Sequence, residues 1–360
     1  MPMATTERSH LLTIFDCGSG WTRIEHYFRT AASGAIAVES GGDKKLFPEP
    51  LDVVLRAEEE EMMVTFASAL SSALIVGSSA PLVVGCTAGV RAHIADGTIS
   101  TARIDRFREL LRETVPPTYG VTFDVVSGER EASYELAAAR YCVEHGCPEV
   151  VACGRPVVGL LSSGGMSSQI VLPNASGGGV AILSLDTALK KEGNAKVLEL
   201  GPAAGLEHYA SYLRGTIARS PLAGGAFVDD TSSAACVYIA IEMIGAAGER
   251  VGLGERVVGR DEAVRAFEVA LEEWREAAEQ ASDAERAQWD WRDAVKATIN
   301  VQAIALLTML PRSCAFYFAR KFSLTGSDGS GGGEPNVVKP SWSFGFCVER
   351  DASGECESEI

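Results

Sequence analysis

Apolar residues come in short continuous runs rather than one long one. Leu11–Phe15, Pro81–Gly85, Val121–Val126, Val157–Leu161 and Gln169–Pro173 are each rich in Val, Ile or Leu and bounded by glycine- or serine-bearing turns, the pattern of buried strands. A further strand is expected in the twenties, and the spacing of 156–173 predicts a hairpin. Between the runs the period changes. Met62, Phe66, Ala69, Leu70 and Ala73 recur at helical spacing behind a cluster of acids that suits a helix N-terminus. Similar stretches follow at 102–115, 128–146 and 203–218, and two more lie between Glu262 and Leu310, where Trp274, Trp289 and Trp291 are candidate anchors and Pro311 ends the second. The segment 339–349, KPSWSFGFCVE, reads as a late strand, and the acidic residues 350–360 as a disordered tail. Strand, turn and helix thus alternate, and the strand–glycine turn–strand unit recurs in both halves. The expectation is an α/β chain of two domains.

Charge narrows the partners. The 360 residues carry 48 acids against 32 Lys and Arg, a formal net charge of −16, which disfavours nucleic acid and anionic membrane surfaces. It does not exclude a small polyanion held by local N–H donors. There is no apolar run long enough to span a bilayer, and the N-terminus lacks a basic segment followed by an apolar one, so no membrane insertion and a cytoplasmic location are expected. Nine scattered cysteines without a CxxC pair fit a reducing compartment. Oligomeric state is not readable.

Four turns carry the candidate chemistry: DCGSGWTR (Asp16–Arg23), GCTAGVR (Gly85–Arg91), VSGEREASYE (Val126–Glu135) and SSGGMSSQ (Ser162–Gln169). Glycine lets backbone N–H groups come close to a ligand, Ser and Thr add hydroxyls, and successive N–H groups form anion nests. No GxxxxGK[ST] element is present, so this is no P-loop. Each turn alone also reads as ordinary turn chemistry. Asp16 could cap its turn, Glu131 could simply favour a helix N-terminus, and Arg23 and Arg91 could lock loops by ion pairs.

Taken in order, the four turns resemble the motifs of the GDA1/CD39 apyrase family, within the actin/Hsp70/hexokinase superfamily. Residues 16–23 are similar to DxGSSGTR, 86–91 to ATAGMR, 127–141 to SGxxEAxYxWxxxNY and 162–169 to DLGGASTQ, and weaker likenesses lie at 208–215, 314–322 and 341–345. The resemblance spans roughly residues 11–348, and exopolyphosphatases share looser versions of the same loops. It implies two actin-like (ribonuclease H-like) lobes, each a mixed five-stranded sheet flanked by helices, with an interlobe cleft. The first lobe would cover 8–128 and the second 129–349, its C-terminal part free to return to the first.

The implied reaction is hydrolysis of the terminal phosphate of nucleoside tri- or diphosphates with Mg²⁺ or Ca²⁺. By resemblance Glu131 is the general base, and Ser162 and Gln169 complete the catalytic set. Phosphate would be bound by Gly18, Ser19, Gly20, Thr22 and Arg23, by Thr87, Ala88, Gly89 and Arg91, and by Gly164, Gly165, Met166, Ser167 and Ser168. Asp16 would hold the metal through its water shell.

The fourth motif departs from the family where it has Asp and this chain has Ser162. Serine brings no negative charge. Trp21 and Arg214 are further departures. An impaired nucleotide-binding or scaffold relative is therefore the alternative, and an exopolyphosphatase-like enzyme the second. Tyr209, Tyr212, Phe227 and Trp342 are candidates to stack a base, and Cys17 and Cys86 for an oxidation switch at the phosphate loops.

Overall fold

A computed structural model describes residues 8–18, 20–31, 34–40, 46–155, 157–163, 168–173, 180–185, 195–219, 236–286, 288–324 and 336–353. In chain order the strands used below are β1 (Arg8–Cys17), β2 (Thr22–Thr30), β3 (Ile36–Ser40), β4 (Leu82–Cys86), β5 (Thr122–Val125), β6 (Val157–Ser163), β7 (Ser168–Pro173), β8 (Val180–Leu185), β9 (Cys236–Ile241), β10 (Val257–Gly259) and β11 (Ala315–Phe318). The helices are α1 (Leu51–Arg56), α2 (Glu60–Ser72), α3 (Ala88–Ala95), α4 (Thr101–Thr114), α5 (Gly128–Gly146), α6 (Pro148–Ala152), α7 (Pro202–Arg219), α8 (Glu242–Arg250), α9 (Arg260–Gln280), α10 (Asp283–Arg286), α11 (Trp291–Met309) and α12 (Trp342–Ala352).

The chain divides into two compact units, Met1–Gly146 with Ser323–Ile360, and Cys147–Phe322. The first carries a sheet of order β3-β2-β1-β4-β5. β1 pairs antiparallel with β2 and parallel with β4, and β4 parallel with β5. β1 and β4 are buried on both faces, which explains their unbroken apolar runs. Asp16 is the charged residue of its buried part, with 3% of its surface exposed. On one face α2 and α4 close a core around Phe15, Phe66, Phe107 and Val84. α5 and α12 pack against each other, with Tyr134 on Phe346 and Tyr141 on Phe344 at ring separations of 5.3 and 5.4 Å.

α12 corrects the strand expected at 339–349. WSFGF looked like period-two alternation, yet Ser341 accepts a bond from the Phe344 N–H and caps a helix. Trp342, Ser343, Phe344, Gly345 and Cys347 are all buried, and a helix covered on more than one side need not show a single apolar stripe. Residues 350–352, placed in the tail by sequence, belong to this helix; 354–360 lie outside the described residues. α5, which opens the second domain in the sequence reading, lies in the first unit here because its partner is α12.

The second unit carries six strands, β10-β11-β9-β6-β7-β8, instead of the expected five; the added edge is the three-residue β10. β6 pairs antiparallel with β7 and parallel with β9, and β9 parallel with β11. The hairpin predicted at 156–173 is β6–β7. Leu161, Ile170, Tyr209, Phe267 and Leu306 belong to one core with α7, α9 and α11. Trp274 and Trp289 pack at 5.6 Å between ring centres.

Candidate functional site

In the first unit the end of β1 is set by its neighbours. Asp16 stands opposite Arg23 on β2 and Gly85 on β4. Arg23 Nη2 donates to Asp16 Oδ2 at 2.5 Å, and the Trp342 indole N–H to Oδ1 at 2.9 Å. The ring of Trp342 lies over Gly85, where a Cβ would come within 2.1 Å of it. Glycine is therefore required at 85 by close approach. Both carboxylate oxygens already accept a protein hydrogen bond. Arg23 also lies 6.0 Å from the half-exposed ring of Trp21.

Glu131 sits in the first turn of α5, whose start is capped by the Ser127 hydroxyl accepting from the Arg130 N–H. Its side chain is buried and pairs with Arg91 at 2.9 Å, and Arg91 also donates to the Val126 carbonyl. Arg23 and Arg91 thus each pair with a buried acid. Thr87 precedes α3 without capping it, which leaves the N–H groups of Ala88 and Gly89 at an open helix N-terminus suited to an anion. The Thr22 hydroxyl is buried against the Cys17 thiol. Gly18 and Gly20 are in the described turn; Ser19 is outside the described residues.

Cys17 and Cys86 face each other across β1 and β4, buried in the apolar core. Desolvation pushes both thiols well up, and each thiol's neighbouring acid adds to it. A thiol so placed is poorly reactive, so the oxidation switch loses its physical basis.

In the second unit the tip of the β6–β7 hairpin pairs Ser162 with Gln169 and Ser163 with Ser168. The two pairs face opposite sides of the sheet. Ser168 Oγ donates to Ser163 Oγ at 3.0 Å, and the Gln302 amide of α11 donates to Ser168 Oγ. The Tyr209 hydroxyl reaches Gln302 Oε1 at 3.5 Å. This is a closed polar cluster inside the core.

Ser162 and Gln169 differ. They are 0% and 1% exposed, and Ser162 Oγ, Gln169 Nε2 and Gln169 Oε1 have no hydrogen-bond partner among the described residues. An unmade buried bond costs about 1–3 kcal/mol, so three at one place mark a polar group or water to be bound there. Gly164, Gly165, Met166 and Ser167 lie outside the described residues, as does Phe227. Tyr209 is core, and Trp342 is committed to Asp16, so neither is free to stack a base.

No group of three or more His, Cys, Asp or Glu that could cage a metal occurs among the described residues. The donors at hand are oxygens, partly neutral, which fit a hydrated hard cation rather than a fully protein-bound one. No helix of the described residues is long and apolar enough to cross a membrane. Sequence reasoning missed the indole of Trp342 as a partner of Asp16 because 326 residues separate them.

No family model matches the chain, and no curated protein sequence does. Solved structures do. The Aquifex aeolicus member of the Ppx/GppA protein family aligns with a TM-score of 0.61 at 12% identity, covering 98% of this chain and 100% of that one. A second structural study of an Aquifex aeolicus PPX-GPPA enzyme gives 0.57 at 12%, covering 95% and 100%. A nucleoside triphosphate hydrolase from Neospora caninum gives 0.57 at 12%, covering 97% and 93%. The expected actin-like α/β fold of two sheet-and-helix units is therefore found, and it is the Ppx/GppA fold. At such identity the likeness speaks for the fold.

Proposed function

We propose that the chain is a phosphoanhydride hydrolase, releasing the terminal phosphate of a nucleoside tri- or diphosphate. The observation that carries this reading is the buried, unpartnered Ser162–Gln169 pair at the tip of the hairpin bearing the fourth glycine turn. Such a pair offers a hydroxyl, an amide N–H and an amide oxygen to phosphate oxygens or to an attacking water. Phosphoryl transfer asks the protein mainly for positioning and charge neutralisation. In the first unit, the N–H groups at the start of α3 and in the first turn would suit phosphate oxygens. Glu131 would accept a proton from water, its orientation fixed by Arg91. A bound Mg²⁺ or Ca²⁺ would neutralise phosphate charge. Asp16 would touch only its water shell, because Arg23 and Trp342 occupy the nearer lone pairs.

A second reading, an exopolyphosphatase-like enzyme, is supported by the Ppx/GppA structures among the neighbours. The test is phosphate release from ATP, ADP, GDP, UDP, tripolyphosphate and long polyphosphate, with and without EDTA. Release from nucleotides that EDTA abolishes and that falls at least about 100-fold in Glu131→Gln is expected. Release from polyphosphate alone selects the second reading. No release from any of them refutes both.

A further inference from the structure

The sheet of the first unit ends in an open edge. β5 closes the order β3-β2-β1-β4-β5, and among the described residues it pairs with β4 alone. Backbone groups of a strand alternate sides, and the Val126 N–H just past β5 bonds to the Cys86 carbonyl of β4. Thr122 and Asp124 therefore turn their N–H and C=O toward β4, while Val121, Phe123 and Val125 turn theirs outward. Such an edge is a template for one more strand.

A cavity of about 160 Å³ lies beside this edge, lined by Arg108, Leu111, Arg112, Val121, Thr122 and Phe123. Phe123 packs on Phe107 of α4 at 5.3 Å between ring centres, so α4 covers the face to which Phe123 points. Arg108 lies 5.6 Å from the Phe123 ring and pairs with Asp105 at 2.8 Å. Arg106 is taken by Glu60, Glu109 and Glu113, whereas Arg112 is exposed and meets no acid among the described residues. Two guanidinium-bearing positions, one helical turn or about 6 Å apart, thus flank the open strand. In a chain of net charge −16, an unpaired arginine beside a cavity selects an acidic occupant.

The chain itself holds a segment of matching pattern. Residues 354–360, GECESEI, lie outside the described residues and carry Glu355, Glu357 and Glu359 at alternate positions. In an extended strand alternate residues share one face at about 6.7 Å spacing, close to that of Arg108 and Arg112 along α4. Reach points to another copy as the donor. Asp351 pairs with Arg29, which stands opposite Ser9 on β1. Thr122 is level with Val83 and so with Ile14, and β5 lies three strands from β2. The direct separation is about 20 Å. Phe15 faces the α4 core and the adjacent Asp16 faces Trp342, so α12 and α4 lie on opposite faces and the path must also round the sheet. The segment extends to about 24 Å at most, which that path consumes before the segment can lie along β5 of its own copy.

We propose that residues 354–360 of a second copy add to the open edge of β5 as a sixth strand, their glutamates set against Arg108 and Arg112. Backbone bonds supply the affinity of strand addition, and the alternate acids supply its register. The inference concerns assembly and stands independently of the hydrolase reading.

The probe is the peptide of residues 353–360, dye-labelled at its N-terminus and titrated with the full chain by fluorescence anisotropy in reducing buffer. Saturable binding is expected, weakened at least about tenfold by Arg112→Glu. A peptide of the same composition with its three glutamates side by side should bind at least about fivefold more weakly, because consecutive residues of a strand face opposite ways. In sedimentation, association of the full chain should grow with concentration and weaken at least about tenfold in Glu357→Lys. Mixing Glu357→Lys chains with Arg112→Glu chains should restore it. No saturable peptide binding, an unchanged affinity in Arg112→Glu, or equal affinity for the two peptides overturns the proposal. So does a full chain that stays monomeric up to about ten times the dissociation constant of the peptide.

Discussion

The ends of two hairpins, β1–β2 in the first unit and β6–β7 in the second, are built on one plan and finished differently. In each, a buried strand pairs antiparallel with its successor and parallel with a later strand. The register places Asp16 opposite Arg23 in one and Ser162 opposite Gln169 in the other. The first pair is ionic and satisfied, its acid also receiving the Trp342 indole. The second is neutral, and its polar atoms have no partner among the described residues. A buried charge has to be compensated for the fold to stand, whereas a buried amide and hydroxyl can wait for a ligand at a lower cost. The first end is thus part of the scaffold, and the second is poised for binding.

The strongest way to break the contrast is to dislodge the helix that brings Trp342. Gly345 lies where α12 crosses α5, and a Cβ there would be 1.6 Å from the Tyr134 carbonyl oxygen. Backbone must move to admit it. Gly345→Ala is expected to cost about 3 kcal/mol or more, read as a fall in denaturation midpoint. A change under about 1 kcal/mol would mean that α12 is not held against α5 as described.

Next in size is the ion pair itself. Asp16→Ala leaves Arg23 and the Trp342 N–H without their acceptor, for an expected loss of about 2–4 kcal/mol. Trp342 fluorescence should shift as its N–H finds water. A loss no larger than a surface pair's, about 0–1 kcal/mol, would remove the claim that this end is scaffold.

These two substitutions also show what the sequence could and could not say. The strands were legible because buried parallel strands leave unbroken apolar runs, and the glycine turns because their chemistry is local. The α12 helix was not legible, since its aromatic spacing mimics a strand and its burial depends on α5, about 200 residues earlier. Asp16, Glu131, Ser162 and Gln169 could be picked out as chemical residues. Their states could not: that Arg23 and Arg91 neutralise the two acids, and that Ser162 and Gln169 stay open, depends on pairings across the sheet.

Acid should separate the units by a smaller margin. His10 and His26, on β1 and β2, share the Thr13 hydroxyl at 3.1 and 2.9 Å, with Ser78, Phe28 and the carboxylate of Glu39 as further neighbours. Burial, then the neighbouring His26, lowers His10 from 6.5 to about 4, and burial lowers His26 against a weaker pull from Glu39. Both are therefore neutral in the fold near pH 7. Below about 6.5 the unfolded chain takes up these protons first, so stability falls as pH drops from 6.5 toward 4 and is unaffected by them above that window. Melting of wild type against His10→Phe across this range should show a shallower slope in the variant. Equal slopes would mean that other groups carry the acid sensitivity.

The smallest effect is the most telling, because its sign matters more than its size. Ser162→Ala deletes a hydroxyl that is fully buried and makes no hydrogen bond. Removing an unsatisfied group relieves its desolvation and leaves only a methyl-sized side chain. The expected change is between zero and about 1 kcal/mol of added stability, opposite in sign to Asp16→Ala at the corresponding place in the other hairpin. Phosphate release should fall in both. A scaffold residue and a binding residue are told apart by this pair of measurements: one loses stability and activity together, the other trades activity for stability. A loss of more than about 1 kcal/mol in Ser162→Ala would show that its hydroxyl is already satisfied in the free protein, and the contrast between the two hairpin ends would no longer hold.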